Sequence, residues 1–126
     1  MIDVDRVDFV SVPTRNAERA RRFYAEIFGL PRNPHNRDEF DATNVTLALW
    51  EPEAQGVSFS PNTAGIALTV ADVEAAREEL STQGVQFLGD TVDTGFCLMG
   101  FFYDLDGNVL ILHHRYSPLA SGARPR

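Results

Sequence analysis

Residues 101–113 read Phe-Phe-Tyr-Asp-Leu-Asp-Gly-Asn-Val-Leu-Ile-Leu-His, two apolar runs on either side of a turn that few residue types permit. Asp104, Asp106, Gly107 and Asn108 supply side chains that bond nearby backbone and a position free to take positive φ, while residues 109–112 are rich in strand formers. The stretch predicts a β-hairpin. A calcium loop is the competing reading of Asp-x-Asp-Gly, and the spacing argues against it. Counted from Asp104, glycine falls fourth rather than sixth, and the twelfth position is Arg115 rather than a bidentate glutamate.

Around this hairpin, composition sets the bounds. At 126 residues and 44% hydrophobic content the chain can bury one core without disulfides or metal staples. The net charge of −7 argues against a nucleic-acid or anionic-membrane partner, because phosphate binding needs clustered basic residues. The single cysteine, Cys97, lies in an apolar run and reads as a reduced core thiol, which suits the cytoplasm. Residues 1–8 alternate acids with single apolar side chains and lack the basic start and apolar core of a signal peptide, and no stretch is long enough to span a membrane.

Read from the start, residues 7–12 form a strand ended by Pro13, with Val10 and Val12 on one face and Phe9 and Ser11 on the other. Ala17, Ala20, Phe23, Tyr24, Ile27 and Phe28 then recur at helical spacing, between a capping Asn16 and a terminating Gly29. After a polar loop over 31–38, residues 39–42 and 45–50 predict paired strands. In the second of these Val45, Leu47 and Leu49 alternate with Thr46, Ala48 and Trp50. The pattern then restarts: a strand over 65–70, and a helix capped by Asp72, buried through Val73, Ala76 and Leu80, and ended by Gly84. A shift of about 56 residues, the offset from Val10 to Ile66, also lays Val12 on Leu68, Asn16 on Asp72, Ala20 on Ala76 and Tyr24 on Leu80. Strands over 85–88 and 96–103 precede the hairpin. The chain therefore reads as one domain of two βαβββ modules, 7–51 and 64–115, with a linker at 52–63 and a frayed tail at 116–126.

With the repeat in hand, the hairpin and the run Arg22-Phe23-Tyr24-Ala25-Glu26-Ile27-Phe28-Gly29-Leu30 resemble the vicinal-oxygen-chelate superfamily of glyoxalases, bleomycin-resistance proteins and extradiol dioxygenases. The resemblance covers most of the chain. It implies an α+β fold in which the strands of two βαβββ modules curl into a trough, with helices outside and a ligand cavity inside. Strand alternation makes Phe9, Ser11, Thr46, Ala48, Trp50, Gly65, Ala67, Thr69, Ile111 and His113 the cavity-side candidates.

The resemblance also says where metal-using members take their His, Gln or Glu ligands: the first strand of each module and the last strands. Those positions are Phe9, Gly65 and Ile111 here, none with a side-chain donor, and Glu51 at a strand end is the one carboxylate near the fourth. Substitute ligands do not assemble by spacing. His113 and His114 are strand neighbours that point to opposite faces, Asp8 points away from the side of Phe9, and His35 lies in a loop.

Three functions stay open at this point. The leading expectation is metal-free binding of a small, partly aromatic or cationic molecule between the modules, with no cofactor and with Phe9, Ser11, Thr46, Trp50, Ala67, Thr69, Ile111 and His113 as contacts. His113 is the group there able to act as a base near neutral pH. The alternative is a divalent-metal lyase, isomerase or dioxygenase of the same superfamily, and the third a catalytically silent interaction protein. A homodimer is expected in the first case, because each module has one helix to cover one face of its sheet.

Overall fold

In a computed structural model, which describes residues 1–117, the chain divides into two units. One is Met1–Thr63 with Leu105–Asn108, and the other is Ala64–Asp104 with the chain from Val109.

The first unit is built on β3 (Thr46–Trp50), which runs parallel to β1 (Phe9–Pro13) and antiparallel to β2 (Glu39–Asp41). Between β1 and β2 lies α1 (Ala17–Arg22), which opens as expected: the Asn16 side chain accepts the Arg19 N–H at 3.1 Å. The expected straight α-helix does not continue. Phe23–Ile27 is a π-helical turn, closed by the Phe28 N–H on the Phe23 carbonyl at 2.9 Å. Phe23 and Tyr24, sequence neighbours, are both buried, and the Tyr24 ring lies 5.9 Å from that of Phe40. Val12, Phe40, Leu47 and Leu49 complete this core.

The second unit holds β4 (Ile66–Thr69), α2 (Val73–Thr82), β5 (Val92–Asp93), β6 (Cys97–Tyr103) and β7 (Val109–Arg115), in sheet order β4-β7-β6-β5. Asp72 caps α2 by accepting the Ala75 N–H at 3.0 Å, as Asn16 caps α1, and β4 lies parallel to β7 as β1 does to β3. The repeat is thus structural as well as sequential. Val73, Leu80, Phe102, Leu110 and Leu112 form the core under α2. Gly100 packs in the same layer, where a Cβ would make ordinary contacts with Val73 and Phe87 at 3.5 Å. Cys97 is buried, as its apolar surroundings predict.

Three expectations are corrected. The curled trough is not formed: the strands make two separate open sheets of three and four strands, neither closed nor strongly curled. Alternation reports which side of a strand is covered, but curvature comes from twist and bulges accumulated over many strands, about eight for a closed barrel. Second, the strands differ from those expected in each unit, although in the second unit three strands still follow the helix. In the first, the loop over 31–38 contributes only the bridge Arg32↔Phe40, so two strands follow the helix. In the second, residues 85–88 contribute only the bridge Phe87↔Phe102, and β5 forms instead at Val92–Asp93, where no strand was expected. Third, the frayed tail begins too early: the Tyr116 and Ser117 N–H groups bond the Phe96 carbonyl at 3.1 Å. The rest of that segment, 118–126, lies outside the described residues.

The turn between β2 and β3 carries a local conflict. Thr43 has φ of 77°, a β-branched residue in the left-handed region, held by the Asp41 carboxylate on its N–H at 2.7 Å. Thr43→Gly is expected to stabilise the protein by about 0.5–1 kcal/mol, the relieved strain exceeding glycine's greater freedom in the unfolded chain. A urea midpoint at or below that of the native sequence would contradict it.

Candidate functional site

Each sheet is covered by its helix on one face, and the residues that point the other way are fixed by register. In the first unit Phe9 pairs with Thr46, Ser11 with Ala48 and Pro13 with Trp50, so all six lie on the uncovered face. Phe9 is 57% and Trp50 38% exposed, unusual for aromatic side chains on a sheet whose opposite face is buried. The neighbouring β2 adds Glu39 and Asp41 to this face through their pairing with Ala48 and Thr46. Glu39 is held there by Asn33 and Asn36, whose amides donate to its two oxygens at 2.9 and 3.2 Å.

In the second unit Ala67 pairs with Ile111 and Thr69 with His113, while β6 brings Phe101 opposite Ile111 and Met99 opposite His113. The eight contacts expected from sequence thus form two groups of four, one per sheet, each on an uncovered face. Phe101, Met99, Glu39 and Asp41 share those faces and were missed. The run Cys-Leu-Met-Gly-Phe-Phe-Tyr is apolar on both sides, so only its register with β7 assigns a face.

The turn over 105–108 bonds residues of the first unit, to which it belongs. Asp106, whose side chain is 2% exposed, accepts the Thr14 hydroxyl at 2.6 Å and the Arg15 N–H at 3.0 Å, with the Arg19 guanidinium 3.6 Å away. Buried Asn108 donates to the Pro13 carbonyl and accepts the Asn62 N–H, both at 2.8 Å. Its role is to hold the end of β1, and with it the register of Phe9 and Ser11.

Elsewhere, the Tyr116 hydroxyl donates to Asp93 at 2.6 Å. That bond, helped by the Gly95 N–H, lowers the Asp93 carboxyl below its ordinary pKa, and the same carboxylate raises the Tyr116 phenol.

A family model describing the glyoxalase/bleomycin resistance protein/dioxygenase superfamily matches residues 6–112. The chain belongs to this superfamily. Among solved structures, a superfamily member from Sphaerobacter thermophilus DSM 20745 is similar at 21% identity, with a TM-score of 0.74 over 87% of this chain and 97% of that one. A glyoxalase/bleomycin resistance protein/dioxygenase from Nocardioides reaches 0.72 at 19% identity, over 100% and 91% of the two chains. TnmS3, an antibiotic binding protein from Streptomyces sp. CB03234, is 26% identical, with a TM-score of 0.69 over 91% of this chain and 99% of that one. No curated protein matches the chain.

Superfamily membership makes the metal-ligand positions a pointed question, and their occupants do not fit a metal ion. Phe9 and Ile111 present only carbon, and Gly65 has no side chain: its φ is +92°, where any L side chain is strained, and a Cβ built there would lie 2.9 Å from Ile111 Cδ1, which would have to move. The other donors are engaged elsewhere. Asp8 pairs with Arg6 at 2.9 Å, Glu51 accepts the Ala17 N–H, and His114 Nδ1 lies 3.0 Å from the Val70 carbonyl. Among the described residues no three His, Cys, Asp or Glu side chains gather into a group able to hold an ion. Nor, among them, is any helix long and apolar enough to cross a membrane.

Proposed function

We propose that this superfamily member binds a small, partly aromatic or cationic molecule without a metal ion, in the cytoplasm, as a homodimer with two equivalent sites. The observation that carries the reading is the pair of exposed aromatics, Phe9 and Trp50, on a helix-free sheet face, where the family's usual metal positions offer no donor. Stacking on such side chains rewards a planar ligand, and the acidic net charge together with Glu39 and Asp41 on the same face accommodates a cation. TnmS3, described as antibiotic binding, supports binding rather than turnover as the mode.

Trp50, the only tryptophan, provides the test. Proflavine, a planar cation, and naphthalene-2-carboxamide, a neutral aromatic, are titrated against the protein by tryptophan quenching and by calorimetry. Saturable binding of at least one is expected. In calorimetry Trp50→Ala should weaken it by about tenfold, or about 1.4 kcal/mol, the scale of one lost aromatic contact. No saturable binding of either probe would overturn the reading, as would stoichiometric zinc, iron or manganese in protein purified without chelators. A sedimenting monomer at micromolar concentration would remove the dimer.

A further inference from the structure

Register divides the uncovered face of the first sheet into rows. Phe9 lies beside Thr46 and Trp50 beside Pro13, and the row between them is Ser11, Ala48 and Glu39. The two aromatic rows stand about 13 Å apart along β3, at about 3.3 Å per residue. Between them Ser11 and Ala48 are small, the first exposed and the second half-buried, so the middle row is open to solvent. Glu39, itself half-buried, is fixed through main chain and side chain together. Its carbonyl accepts the Asn33 N–H at 2.9 Å and its N–H donates to the Asn36 carbonyl at 3.1 Å, while the amides of the same two residues hold its carboxylate oxygens. Those partners are neutral. Among the described residues no ion pair includes Glu39, not even with Arg37 two positions earlier, whereas the adjoining Asp38 is paired with Arg21 at 2.6 Å. Asp41, the other acid on this face, is exposed and turned to the Thr43 N–H at 2.7 Å.

We propose that Glu39 receives the protonated amino group of an aromatic amine whose ring system lies over Ser11 and Ala48, between Phe9 and Trp50. This rests on the reading of function above and narrows its ligand to an aromatic ammonium. A carboxylate offers roughly four acceptor sites, and the two amides leave Glu39 the rest. Held by neutral donors, it keeps its charge for a cation, and the ammonium gains charge-assisted bonds about twice as strong as those of a neutral hydroxyl. Its orientation is set before binding, so little side-chain freedom is lost when the ligand arrives. The aromatic faces on either side favour a cation as well.

The test compares 2-naphthylmethylamine with 2-naphthalenemethanol, nearly identical in shape and different in charge, by calorimetry at neutral pH. The native protein is expected to prefer the amine by about tenfold, the preference shrinking as salt is raised. Glu39→Gln should bring the two affinities together, chiefly by weakening the amine. Asp41→Asn removes the same charge from the same face and should keep most of the preference. Glu39→Asp, with its carboxylate drawn back by one methylene, should keep only part of it. A glutamate that merely staples the loop over 31–38 would, on replacement by glutamine, lower the melting temperature and weaken both probes alike, with the preference intact. That result overturns the proposal, as do equal affinities in the native protein or an equal loss of preference in Asp41→Asn and Glu39→Gln. If Glu39→Gln does not fold, an undiminished preference in Glu39→Asp does so. Failure of both naphthalenes and of proflavine would instead defeat the underlying reading of function.

Discussion

Replacing Asp106 with alanine is expected to destabilise the protein by about 3 kcal/mol, the largest loss foreseen for any polar side chain in the chain. The carboxylate is 2% exposed and, among its partners, accepts the Thr14 hydroxyl and the Arg15 N–H and pairs with the Arg19 guanidinium. Thr14 is itself 1% exposed, so its hydroxyl has no water to turn to when the acceptor disappears. The Arg15 N–H, one residue before the Asn16 cap of α1, also donates to this carboxylate and would lose that acceptor. Asp106→Asn keeps one acceptor oxygen and loses the charge, so it should cost less, about 1–2 kcal/mol. Urea unfolding measures both. A loss below about 1 kcal/mol for Asp106→Ala would mean that these bonds are replaced by solvent in the variant.

That role was not legible in the sequence. Turn chemistry is local, and Asp104, Asp106 and Asn108 read as residues that bond their own backbone. In the structure, Asp106 and Asn108 instead hold residues more than 40 positions away, from Pro13 to Asn62. No spacing rule reaches that far. What local rules do reach came through well. Caps at Asn16 and Asp72 accept the N–H groups three residues on, and the alternation in β1, β3, β4 and β7 assigns the uncovered faces, because each strand has one apolar and one mixed side. Phe101 and Met99 escaped because β6 has two apolar sides. The curled trough failed for a related reason. It came with the family resemblance, while the strands themselves specify faces and not curvature.

Gly65→Ala, a change of one methyl group, is expected to cost about 2–3 kcal/mol, from two sources that can be separated. The first is backbone: Gly65 has φ of +92°, where any L side chain is strained, worth about 1–2 kcal/mol. The second is packing. The new Cβ would lie 2.9 Å from Ile111 Cδ1, closer than such atoms approach, and 3.5 Å from Val109 Cγ1. Because Cδ1 is the end of a flexible chain, shortening it by Ile111→Val should return about 1 kcal/mol in the double variant, leaving the backbone part unrelieved. A neutral Gly65→Ala, or a double variant no better than the single one, would contradict this division. The same geometry bears on the metal question. Gly65 and Ile111 both stand where metal-using relatives are expected to place ligands, yet here they form one packed unit, the glycine making the space that the isoleucine fills. Restoring donors with Phe9→His, Gly65→His and Ile111→Glu together should therefore not create a stoichiometric zinc site. The histidine at 65 would start from a strained backbone, and zinc rewards only ligands that converge in tetrahedral geometry. Zinc titration against a competing chelator, alongside circular dichroism to establish that the triple variant is folded, checks it; tight one-to-one binding would show that the strand accommodates the ligand after all.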